Sequence, residues 1–90
     1  MTEPKLFVVY LGGDLVEGRM GEDHEVVIVV GQDDAEAKRK AKAKWQGHGR
    51  AHIDAVQQID RVDGYDLTLR PGAAGDAITT DSSYEPSDPA

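Results

Sequence analysis

Val26, Val27, Ile28, Val29 and Val30 form an unbroken β-branched run, and no feature of this chain restricts its fold more. Side chains branched at Cβ are stiff and suit a pleated backbone better than a helix. A strand with one wet face alternates apolar and polar residues. This one puts Val26, Ile28 and Val30 on one side and Val27 and Val29 on the other, so both faces ask for cover. The pattern predicts a central strand, ended by Gly31.

A charged helix follows. Asp33 has the character of an N-cap, and Glu36 three residues later completes a capping box. Asp33, Asp34 and Glu36 stand at the positive end of the helix dipole. Lys38, Arg39, Lys40, Lys42 and Lys44 run toward its negative end, which is the favourable order. Ala37, Ala41 and Trp45 recur every four residues as one narrow apolar stripe, with Trp45 supplying most of the buried area. Gly47 is the expected stop. The lysines are read as a solvated face rather than a phosphate-binding one, because no aromatic residue is interleaved with them and the whole chain is acidic.

Lys5 to Leu11 predicts a first strand, again apolar on both faces, closed by Gly12-Gly13. Asp14 to Asp23 reads as a loop holding Arg19 and the apolar Leu15, Val16 and Met20; a connection this long is often functional or mobile. A second loop is expected over Gly47-His48-Gly49-Arg50. From His52 to Val62 the apolar residues Ile53, Val56, Ile59 and Val62 recur every three positions. That spacing leaves a bulged strand and a short amphipathic helix both open. The strand is favoured, because Val62-Asp63-Gly64-Tyr65 carries the Asp-Gly signal of a tight hairpin. Tyr65, Leu67 and Leu69 then alternate with polar residues as a last strand, stopped by Pro71.

The expected fold is a small α+β domain over residues 1–71, a four-stranded β-β-α-β-β sheet with one helix on one face. Residues 72–90, rich in Gly, Pro, Ser and Asp, are expected to be a flexible acidic tail. Two strands are apolar on both sides, yet one narrow helix is available to cover them. A second copy of the chain is the simplest cover, so a homodimer is expected.

Composition narrows the function classes. With a net charge of −7 and a pI near 4.7, affinity for nucleic acid or an anionic membrane is not expected. The chain contains no cysteine, which removes disulfides, thiolate nucleophiles and Cys-ligated zinc. No apolar stretch approaches the ~20 residues of a spanning helix. The acidic N-terminus does not resemble a signal peptide, so a cytoplasmic protein is expected.

The ordered set Lys5-Leu-Phe-Val-Val-Tyr-Leu-Gly-Gly13, His24-Glu-Val-Val-Ile-Val-Val-Gly31, Lys44-Trp45-Gln-Gly47, His52-Ile-Asp54 and Val62-Asp-Gly-Tyr65 resembles an uncharacterised bacterial group, domain-of-unknown-function family 1543. The resemblance covers roughly residues 5–70 and leaves out the acidic tail. Members carry one or two copies of the domain per chain, which is similar to the pairing inferred here. The family has no assigned activity, so the resemblance implies no reaction.

Three histidines are available for chemistry: His24, His48 and His52. If two strand starts were neighbours, His24, His52 and Asp54 would form a His/His/carboxylate set suited to a metal or to acid–base work. No paired ligand motif requires this, and the alternative is three hydrogen-bonded structural residues. No metal or cofactor is expected. A serine or cysteine nucleophile is missing from the predicted domain, which argues against covalent catalysis. The leading expectation is a binding or assembly module for an unidentified protein or small molecule. Its surface would combine the Gly12–Asp23 loop and Arg19 with His24, His52, Asp54 and Trp45. The alternative is a small metal-dependent or acid–base enzyme using His24, His52 and Asp54.

Overall fold

The computed structural model describes residues 3–14 and 23–72. In order these form β1 (Lys5–Asp14), β2 (Asp23–Gly31), α1 (Asp34–Lys44), β3 (His48–Ile59), β4 (Arg61–Val62) and β5 (Tyr65–Asp66). The α+β class holds. The four-stranded sheet does not: β2, β1 and β3 make a three-stranded antiparallel sheet in that order, and β4 and β5 make a separate two-stranded hairpin.

The β-branched run is therefore an edge strand, and β1 is the central one. Periodicity announces apolar faces but not neighbours. Here β1 brings Phe7, Val9 and Leu11, the largest fully buried side chains among the described residues, under the helix. Burying side chains of this kind is worth about 1.5–3 kcal/mol each. Val29, Ala37, Ala41 and Ala51 complete the core, with Val27, Trp45, Ile53 and Val56 packed around it. β1 also runs on through Gly12 and Gly13 to Asp14, three residues past the expected end at Leu11. Gly13 is required there: a Cβ would stand 2.8 Å from Cζ2 of the Trp45 ring.

The helix starts as its sequence demands. The Glu36 amide donates to Asp33 Oδ1 at 2.9 Å, and Glu36 Oε1 accepts from the Gln32 amide at 3.2 Å, one residue outside the usual reciprocal bond. Ala37 and Ala41 are fully buried and let α1 lie close to the sheet. The helix ends at Lys44, with Trp45 as its C-cap, before Gly47 is reached.

Residues 48–59 are a strand with a bulge, and β3 begins inside the stretch expected to be a loop. Tyr10 pairs with Ala55 and Leu11 with Ile53, so Asp54 is the extra residue. Beyond β3, Asp63 (φ 52°) and Gly64 (φ 85°) both take the left-handed conformation that a two-residue hairpin turn requires. The last strand stops at Asp66, short of the expected Arg70. Most of the Asp14–Asp23 loop and all of residues 73–90 lie outside the described residues. No helix among the described residues is long and apolar enough to cross a membrane.

Candidate functional site

In an antiparallel sheet, directly opposite residues share a face. The register puts Phe7, Val9, Leu11, Val27, Val29 and Val56 on the helix side. Leu6, Val8 and Tyr10 fall on the other side, beside Val30, Ile28 and Val26 of β2 and Ile59, Gln57 and Ala55 of β3. Among the described residues, no element covers this second face. Tyr10, Val26, Ile28 and Val30 are 40, 59, 47 and 39% exposed, a contiguous apolar stripe along two strands. An open groove of about 500 Å³ lies on it, with Val8, Tyr10, Val26, Ala55 and Gln57 in its lining.

The same face is polar at one end. Gly12 of β1 stands opposite His24 on one side and His52 on the other. Gly12 itself is buried. Asp54, the extra residue of the bulge, comes between the two imidazoles. His24 Nε2 lies 3.3 Å from Asp54 Oδ2, and His52 Nε2 lies 3.0 Å from Asp54 Oδ1. One carboxylate thus stands within ion-pair distance of two imidazoles, each oxygen nearest one ring. Tyr10 stacks on His24 with ring centroids 4.9 Å apart, which joins the polar end to the apolar stripe.

The strand ends brought together are those of β2 and the middle of β3, and the three residues meet because Gly12 and the bulge act at the same level. One residue of the expected surface, Trp45, is elsewhere. Trp45 packs against Gly13 on the helix side of the sheet, with its indole Nε1 buried and without a partner among the described residues. Glu25, opposite Leu11 on that same side, also has an unpartnered buried atom, Oε1. Arg19 lies outside the described residues, as does the His48 side chain.

Among the described residues, no group of three or more His, Asp or Glu side chains is arranged to hold a metal ion. What the arrangement can do is hold protons. An imidazole that donates from Nε2 has Nδ1 as its acceptor atom.

The helix lysines have a structural employment that their spacing did not suggest. Lys40 Nζ donates to the Val30 carbonyl at 2.7 Å, and Lys44 Nζ donates to the Ile28 carbonyl at 2.8 Å. They reach over the outer edge of β2, which withdraws them from any anion-binding face.

A model of the family described as Domain of Unknown Function (DUF1543) matches residues 19–69, the region that contains β2, α1, β3 and the hairpin. No curated protein and no solved structure matches the chain.

Proposed function

The chain belongs to the DUF1543 family, and we propose that it is an assembly module that pairs with a second copy of itself through the open face of its sheet. The observation that carries this reading is the exposed stripe of Tyr10, Val26, Ile28 and Val30. A contiguous apolar patch rimmed by polar residues marks an interaction surface. The edges of the sheet favour a face over an edge. An open edge strand invites pairing with another chain, and both outer strands are blunted. On β2 the lysine ammoniums occupy two outward carbonyls. On β3 the bulge at Asp54 breaks the regular run of backbone groups. The polar cluster lies at one end of the stripe, where a polar rim belongs. Sedimentation of the full chain across the micromolar range tests the reading. The mass of two chains is expected, and the mass of one chain throughout would overturn it.

A second reading, acid–base chemistry at His24, Asp54 and His52, is favoured by one observation, the convergence of both imidazoles on one carboxylate at 3.0 and 3.3 Å. The carboxylate would orient each ring by holding it as its Nε2–H tautomer. The stability that exposed pairs of this kind supply is only about 0–1 kcal/mol, so their geometry is not needed to hold the fold. Asp54→Asn tests it by nitrogen NMR of the imidazoles. Both rings should populate the Nε2–H tautomer in the native chain and lose that preference in the variant; rings indifferent to the change would end this reading.

A further inference from the structure

We infer that the β4–β5 hairpin of one copy seats on the open face of the other, with Tyr65 entering the groove between Tyr10, Val26 and Ala55. The inference rests on the assembly reading and names its partner and its contact.

The hairpin is an arm without a body. Val62, Tyr65 and Leu67 are 48, 76 and 38% exposed. Arg61 Nε donates to Asp66 Oδ1 at 2.7 Å, and the Leu67 amide donates to the Asp60 carbonyl at 2.9 Å. The arm thus offers outward an exposed ion pair together with three apolar side chains. A lone two-stranded hairpin is marginally stable in water, so an arm built this way gains from a surface to lie on.

Its own sheet does not supply that surface. Only Asp60 separates β3 from β4, so the hairpin leaves from the end of the sheet where Leu6 pairs with Ile59. The groove lies further back, at the level of Val8, Tyr10 and Ala55. A second copy supplies it. An interface with two-fold symmetry must be self-complementary, so each molecule has to bring both the knob and the hole. This chain has both, a projecting tyrosine and an apolar groove of about 500 Å³. The groove also carries one amide, Gln57, among its apolar lining. A buried tyrosine needs a hydrogen-bond partner for its hydroxyl, and an amide serves. Exchange of two arms across one axis closes the assembly at two chains and covers both stripes.

The experiment uses the full chain with the photoreactive analogue p-benzoylphenylalanine in place of Tyr65, mixed with an isotope-labelled native chain. After irradiation, mass spectrometry of the peptides identifies what the arm touches and in which copy. The expected product joins the unlabelled arm to labelled peptides of β1 or β2 containing Tyr10 or Val26. In parallel, Tyr65→Ser should weaken pairing roughly tenfold or more, as loss of an interface anchor does, while circular dichroism stays native. A native chain that pairs, but gives no such product and pairs equally well as Tyr65→Ser, overturns the arm and leaves the assembly reading standing. Crosslinks confined to the arm's own copy, including its residues 73–90, also overturn the arm. A native chain that is a monomer overturns both.

Discussion

Two adjacent glycines carry the tightest constraints at the residue scale. They sit side by side on β1 and answer to opposite faces. Gly13 faces the helix side, where the Trp45 ring occupies the volume a side chain would need. Gly12 faces the other way, opposite both His24 and His52. Gly13→Ala is expected to destabilise the domain by about 1–3 kcal/mol, the usual cost of forcing a methyl group into a filled core. Denaturant unfolding followed by Trp45 fluorescence measures it, and an unchanged midpoint would show that the indole moves aside at no cost. The glycine pair was legible as a break in the apolar pattern, but not as what it is. Glycine near a strand end reads as a terminus from sequence, whereas here Gly13 lets the Trp45 ring approach the strand closely.

At the element scale, the helix does two jobs with separate faces. Ala37 and Ala41 pack on the sheet, and Lys40 and Lys44 bend over its edge to the carbonyls of Val30 and Ile28. The capping residues, the dipole order and the alanine stripe were all readable, because each is a local or periodic relation. The lysine contacts were not, since they depend on how far α1 stands from the edge of β2. Replacing Lys40 and Lys44 together by Met keeps their aliphatic stems and removes both donors. Stability should fall by less than about 1 kcal/mol, the scale of exposed charged contacts. Association should change more. With the edge of β2 open, species larger than two chains are expected in sedimentation and should grow with concentration. A variant that sediments as the native chain does would mean that the lysines do not guard the edge.

At the scale of the whole molecule, the unequal treatment of the two sheet faces governs behaviour. One face is closed by α1; the other presents a stripe, a groove and a polar end. Ile28 lies in the middle of the stripe, exposed to solvent, so a charge there costs little in the folded monomer. Ile28→Asp should leave the circular dichroism spectrum and the melting profile of a folded domain and reduce the mass in solution to one chain. A variant that still pairs would place the contact elsewhere. The acid–base reading makes a different demand on the same molecule: its imidazoles stand at the polar end and should keep their tautomers whether Ile28 is native or not.

What the residues alone determined was local: a β-branched strand, a capped helix with an alanine stripe, an Asp-Gly hairpin, and an imbalance between apolar strand surface and available cover. These follow from side-chain stiffness, periodicity and dipole order, which act within a few residues. Which strand is central, which face stays open, and that His24, His52 and Asp54 meet were decided only by the tertiary structure. Strand order is a matter of long-range pairing, and the meeting of the three side chains depends on a bulge and a glycine set side by side on neighbouring strands.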